Sequence, residues 1–203
     1  MSPDRTGPVA AVLLAAGASA RMGRNKLLLT LQGETVLRRA ARAAIAAGLD
    51  PVLVVLGHEA ERCRAELEGL ACRAVLNPHH ERGQNASLAA GIAAVPPGAP
   101  GALVALADMP FVTATMMAAL VERFRADPAR LVVSEYGGVL APPMLYDRAL
   151  FPELSEQEGD GCGKRVVKRH REEASIVSWP AAALEDLDLP DDYARAQAAL
   201  RER

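Results

Sequence analysis

Aromatic side chains are scarce. One Trp, three Tyr and three Phe stand among 203 residues, so the core has to be assembled from Ala, Val and Leu. Cysteines are few as well: Cys63, Cys72 and Cys162 are odd in number and widely spaced. That excludes a full disulfide framework and matches no zinc-ligand spacing. The net charge is only -2, so no whole-protein field draws the chain to nucleic acid or to a membrane. An anionic ligand must be held by local charge. Long hydrophobic runs are missing too. The apolar run after the polar stretch Met1 to Pro8 is too short for a signal peptide or a membrane span. The expected address is the cytoplasm, with no nucleic-acid or membrane partner. Internal repeats and low-complexity linkers are absent, and the length suits one domain, residues 1–203.

What is present is an alternation of short apolar runs with helical patterns. Val9 to Leu14, Pro51 to Leu56, Ala71 to Leu76, Gly101 to Ala107 and Leu131 to Ser134 read as strands, the first two as buried ones. Between them, helices are expected over Glu34 to Ala47, Ala60 to Leu67, Ser87 to Val95 (capped by Ser87 or Asn85) and Thr113 to Arg125 (capped by Thr113). Strands alternating with helices predict an α/β fold, a three-layer sandwich around a mainly parallel sheet, with ligands at the carboxyl ends of the strands. Beyond Gly137 the pattern is irregular. Gly137-Gly138, Pro142-Pro143 and Gly159 to Gly163 punctuate short elements, then a strand at Ile176 to Trp179 and a last helix from Pro190 to Arg201 are expected.

The first strand runs into Leu14-Ala15-Ala16-Gly17-Ala18-Ser19-Ala20-Arg21-Met22-Gly23-Arg24-Asn25-Lys26. Glycines let backbone N–H groups approach phosphate oxygens. Arg21, Arg24 and Lys26 add cations, with no acid between Gly17 and Lys26. A triphosphate needs both; the alternative is an ordinary strand-to-helix turn with solvated basic residues. The dinucleotide pattern G-x-G-x-x-G is absent here, which weakens a nicotinamide-dependent reductase. The nearest approach to a Walker A loop, Gly163-Lys164, has Arg165 where Ser or Thr belongs.

The Leu14 to Lys26 segment resembles the signature of the MobA-like NTP transferases, and is most similar to the molybdenum cofactor cytidylyltransferases among them. Asn77-Pro78 with Gly83 and Ser87-Leu88 is similar to that family's second nucleotide-contacting segment. Leu106 to Pro110 is similar to its metal motif, and Asp186 to Tyr193 to its C-terminal Asp-x-Asp-x-Pro motif. The resemblance implies a Rossmann-like fold, CTP or GTP as donor, and Mg²⁺. Ala16 follows the cytidylyl subgroup. By this resemblance Leu14, Ala15, Ala16, Gly17, Ser19 and Lys26, with Asn77, Gly83 and Ser87, bind the nucleotide. Arg21, Lys26 and Asp108 carry catalysis, and Asp108 and Asp188 hold Mg²⁺.

The acids have alternatives. Asp108 ends an apolar strand, where a carboxylate must be solvated, paired or bound to metal; otherwise it caps the helix near Thr113. Asp186 competes with Asp188 as second metal ligand, and both can be read as a solvated acidic turn. Asp191 and Asp192 suit the N-terminus of the last helix. Cys162, beside Lys164 and Arg165, is a weak candidate for a lowered thiol pKa, and those cations suit an anionic acceptor. His79-His80 and the run Lys168 to Glu173 read as solvated. Val139 to Met144 departs from the family's acceptor-side pattern, with Ala and Pro where Gly and His are expected.

The expected reaction moves CMP from CTP to the phosphate of a molybdopterin cofactor and releases pyrophosphate, with a molybdenum hydroxylase as client. The alternatives are another small phosphorylated acceptor, or a non-catalytic carrier of the molybdenum cofactor.

Overall fold

The computed structural model describes residues 5–157, 159–184 and 186–201. In chain order its main elements are β1 (Ala10–Ala15), α1 (Val36–Ala46), β2 (Val52–Leu56), α2 (Ala60–Glu66), β3 (Arg73–Leu76), α3 (Gln84–Ala93), β4 (Gly101–Leu106) and α4 (Ala114–Ala126). Then follow β5 (Leu131–Tyr136), β6 (Val139–Asp147), α5 (Phe151–Ser155), α6 (Lys164–His170), β7 (Ser175–Trp179) and α7 (Pro190–Arg201). A hairpin of two-residue strands, Thr30–Leu31 with Glu34–Thr35, precedes α1.

The seven strands form one sheet in the order β3-β2-β1-β4-β6-β5-β7. Only β6 runs antiparallel to its neighbours, β4 and β5. The rest of the sheet is parallel, as the alternation of strands and helices predicts. β1 is buried along its whole length, so both of its faces need an apolar cover. Ala11 and Leu13 join Val54 and Leu103 under Leu37 and Ala41 of α1 and Leu120 and Phe124 of α4. Val12 and Leu14 join Leu53 and Val55 under Leu88 and Ile92 of α3, Leu154 of α5 and Val166 of α6. Two apolar clusters on the two faces of one sheet make the three-layer sandwich. Each fully buried Leu or Val contributes roughly 1.5–3 kcal/mol, which is how a core with few aromatics is sustained. α3 lies so close to the sheet that a Cβ on Gly91 would come within 2.3 Å of Val12 Cγ1.

Two expectations are corrected. The third helix starts at Gln84, three residues before Ser87, and its cap position is Gly83 with no side-chain cap bond; Asn85 and Ser87 lie inside the helix and use their side chains elsewhere. The nine-residue strand Val139–Asp147 runs through Pro142-Pro143, a pair expected to punctuate short elements. It accommodates Pro142-Pro143 because its register against β5 shifts between Val133 and Ser134, and a bulge frees the prolines from the ladder. The strand expected over Ile176 to Trp179 is present as Ser175–Trp179. Among the described residues no helix is long and apolar enough to cross a membrane.

Candidate active site

β1 delivers the chain at its carboxyl end into the glycine loop. Ser19 adopts a positive φ of 53°. Its carbonyl accepts from Met22 N at 2.9 Å, and its Oγ accepts from Lys26 N at 3.2 Å. Asn25 then caps the short turn Lys26–Leu28 by accepting from Leu27 N at 3.1 Å. These local bonds fold the loop back on itself and aim Lys26 inward.

Lys26 Nζ stands 2.5 Å from Asp108 Oδ2 and 2.8 Å from Asp188 Oδ1. Arg21 reaches the other oxygen of Asp188 at 2.8 Å. The Lys26 and Asp108 side chains are only 13% and 18% exposed, whereas Arg21 is 73% exposed. The inner pair is therefore shielded, and the Arg21 contact is screened by water. Burial works against the charge on Lys26, yet Asp108 and Asp188 outweigh it and hold its pKa above the usual lysine value. Asp186 is pushed the other way for a carboxylate. Desolvation first, then the charges of Asp188 and Asp108, raise its pKa.

Asp108 and Asp188 are far apart in sequence and are joined by backbone. Leu187 is fully buried and its N–H donates to the Asp108 carbonyl at 3.1 Å. Asp192 Oδ2 accepts from the N–H groups of Asp188 and Leu189 at 2.9 and 2.6 Å, as expected for an acid at the start of α7. The cap alternative for Asp108 is overturned: Thr113 caps α4, its Oγ1 accepting from Met116 N at 3.2 Å. Asp108 is left to Lys26.

These groups open on a cavity of about 1070 Å³, enough for a nucleotide and a second small molecule. Leu14, Ala15, Ala16, Gly17, Ser19, Arg21, Lys26, Gly83, Ser87, Asp108, Asp186 and Asp188 all line it. Asn77 does not. It is buried one layer behind, where its Nδ2 donates to Ser87 Oγ at 3.0 Å and its Oδ1 accepts from His79 N at 3.0 Å. It positions Ser87 rather than facing the cavity.

Asn85 was expected only as a cap. It is buried and ties α3 to the glycine-rich loop before α6. Its Oδ1 accepts from Gly163 N at 3.0 Å, and its own N–H donates to the Gly159 carbonyl at 3.0 Å. Gly83 is required next to it. It has a φ of +98°, and a Cβ there would meet the Gly159 carbonyl group at 2.7 Å. Spacing alone does not connect residues 83–85 to residues 159–163; only the strong glycine content of both segments hints at a close approach.

The charge run after residue 164 needs a larger correction. Lys168 and Arg171 line the cavity together with Lys164, while Arg165 is exposed and not among the lining residues. His80 lines it too, while His79 is exposed. Cys162 is buried rather than activated. Desolvation, helped by the negative charge of Asp108, pushes its thiol up to about 12, so proximity to Lys164 does not produce a thiolate.

Asp108 and Asp188 present oxygen donors to one cation, here the Lys26 ammonium. Among the described residues no group of three or more His, Cys, Asp or Glu could hold a metal by itself. Two carboxylates in a cavity fit a hard divalent cation that completes its shell with phosphate oxygens and water.

The model of the MobA-like NTP transferase domain matches residues 11–174. The chain belongs to this family. It is 31% identical over 208 residues to the purine catabolism protein PucB of Bacillus subtilis, covering 93% of this chain and 96% of that one. It is 34% identical over 173 residues to the nicotine blue oxidoreductase of Paenarthrobacter nicotinovorans, covering 80% and 82%. The crystal structure of Rv0371c from Mycobacterium tuberculosis superposes with a TM-score of 0.82 at 30% identity, covering 95% of this chain and 99% of that one. Rv0371c has also been solved as a manganese complex, with a TM-score of 0.79 at 27% identity over 95% of this chain and all of that one. The family assignment makes the chain a nucleotidyltransferase and agrees with the α/β sandwich and mostly parallel sheet described above.

Proposed function

We propose that the protein transfers CMP from CTP to the phosphate of a molybdopterin-type acceptor and releases pyrophosphate. The observation that carries this is the Lys26 ammonium held between Asp108 and Asp188 at the mouth of the glycine loop, in a cavity with room for two substrates. The N–H groups of the loop around Gly17 bind phosphate oxygens, and Ala16, at the floor of the loop, bears on base choice. An acceptor phosphate oxygen attacks the α-phosphorus in line. A new P–O bond forms there as the bond to the β-phosphate bridging oxygen breaks. The attacking oxygen is already ionised and pyrophosphate leaves as the anion, so no proton has to move. Positioning and charge neutralisation do the work. Lys26 and Arg21 meet the triphosphate, and Asp108 and Asp188 would hold Mg²⁺ or Mn²⁺, which when bound neutralises charge on the phosphates. The client that receives the product is a molybdenum hydroxylase.

One relative's name supports a second reading, an oxidoreductase, although the chain lacks the dinucleotide glycine pattern. A non-catalytic carrier is the third. Pyrophosphate release, measured with each nucleoside triphosphate, with and without molybdopterin, separates them. The proposal expects release with CTP above GTP, and only when acceptor and divalent metal are both present. NADPH consumption without pyrophosphate release would replace it with the reductase. A bound dinucleotide that is never turned over would replace it with the carrier.

A further inference from the structure

Helix α6 and the turn Arg171–Glu173 that continues it carry their charges on two distinct faces. Lys164, Val167, Lys168 and Arg171 line the cavity; their spacing of three, four and seven residues is that of one helical stripe. The basic residues between them behave differently. Arg169 and His170 point away and both meet Glu153 of α5, at 2.6 and 3.0 Å. Val166 packs into the core beneath. Among the described residues, none makes an ion pair with Lys164, Lys168 or Arg171, and all three are exposed. The neighbouring carboxylate that shares the wall, Asp160, is engaged by Gln84 N at 3.2 Å. The cavity thus has two cationic regions of different kind. At the glycine loop, Arg21 and Lys26 are matched by Asp188 and Asp108. Along α6 three cations face one acid among the described residues.

A run of unmatched cations along a cavity wall favours a multiply charged anion, because each added negative group meets a donor that needs no prior release from a carboxylate. The attacking group of the proposed reaction is such an anion. We infer that Lys164, Lys168 and Arg171 form the acceptor subsite and that it takes a phosphate monoester. The cationic stripe grips the acceptor's phosphate and holds it for attack, while Val167 and Met144, which also line this part of the cavity, give an apolar bed for the rest of the molecule. This rests on the transfer reading above. It adds that recognition of the acceptor is centred on its phosphate and uses residues separate from those that hold the nucleotide.

The test is calorimetric and needs no turnover. Three probes are titrated into the full chain: a pterin phosphate monoester, the corresponding pterin alcohol, and CTP with Mg²⁺. The wild type should bind the phosphate ester at least about tenfold more tightly than the alcohol, the scale of one or two hydrogen bonds to a charged group. Lys168→Ala and Arg171→Ala should each remove most of that preference while leaving CTP affinity within about twofold. Arg169→Ala, on the opposite face, should change neither. Both target side chains are exposed, so thermal unfolding should be unaltered. Equal binding of ester and alcohol by the wild type overturns the inference, as does an unchanged preference in Lys168→Ala and Arg171→Ala. Loss of CTP affinity in those variants would assign the stripe to the donor instead. If CTP fails to bind at all while the ester preference persists and depends on Lys168, the transfer reading falls and the phosphate subsite stands.

Discussion

The cavity wall carries two cationic regions built in opposite ways. At the glycine loop each lining cation already has a carboxylate, Lys26 with Asp108 and Asp188, and Arg21 with Asp188. Along α6 the lining cations Lys164, Lys168 and Arg171 have none among the described residues. Pairing fixes Lys26 in place before any ligand arrives, at the expense of some attraction for it. The unpaired stripe keeps its full attraction but is not held in position. The comparison suggests that the paired end is where geometry matters and the unpaired end is where capture matters.

The largest effect should come from breaking the paired end. Asp108→Asn retains the size of the side chain and loses the charge. Metal-dependent pyrophosphate release should fall by roughly 10²-fold or more, as for loss of a preorganised electrostatic group, and any fall in Tm should be that of the lost ion pair with Lys26 and not of a lost helix cap, because Thr113 and not Asp108 caps α4. Near wild-type turnover would remove Asp108 from the chemistry. Lys26→Ala comes next. It should weaken CTP binding about tenfold or more, by analogy with loss of a hydrogen bond to a charged group, and it leaves Asp108 facing Asp188 with no ammonium between them. Divalent metal should then raise the Tm of this variant more than that of the wild type; equal shifts would mean that the two carboxylates do not share a cation. The pKa of Lys26 is raised, so its stabilising contribution is complete below its usual value of 10.5 and is lost only as pH rises through the folded value. Wild-type CTP affinity should therefore show no loss assignable to Lys26 between pH 7 and 9.

The comparison also explains what could be read from the sequence. The loop from Leu14 to Lys26 is one continuous segment, so its glycines and cations are visible together. β1, β2 and β4 are buried on both faces, and unbroken apolar runs such as Val52 to Leu56 announce them. The wall around α6 is built from segments that meet only in space. β6 was hidden because Pro142-Pro143 lies within it, and prolines normally argue against an inner strand; the bulge that permits them has no sequence signal. Lys168 and Arg171 were hidden because a charge run looks the same whether it faces water or a cavity. Their spacing from Lys164 was the available clue, but seven residues of helix are too few for periodicity to stand out. The start of α3 was missed because Gly83 caps it without a side-chain bond.

Smaller effects sharpen the contrast. Asn85→Ala strips the acceptor from Gly163 N–H in a buried place and should cost about 1–3 kcal/mol of stability. It should loosen the loop before α6, raising KM for the acceptor more than KM for CTP. A larger effect on CTP would show that the loop serves the donor. Smallest near neutral pH is the effect of Cys162. Its thiol is raised from an ordinary 9 to about 12, so the unfolded chain loses this proton first and its contribution to stability falls as pH rises from 9 towards 12. At pH 8 the folded protein should leave Cys162 unalkylated by iodoacetamide; rapid labelling would contradict its burial.

The most direct test of nucleotide transfer follows the label. CTP carrying ³²P at the α-phosphate is incubated with the protein, Mg²⁺ or Mn²⁺, and molybdopterin, and both the labelled dinucleotide and the pyrophosphate are quantified. The account predicts that label enters the acceptor in step with pyrophosphate, one for one, and that neither forms when Asp108 is replaced by Asn. Pyrophosphate formed without label in the acceptor, or no consumption of CTP under any of these conditions, would contradict it.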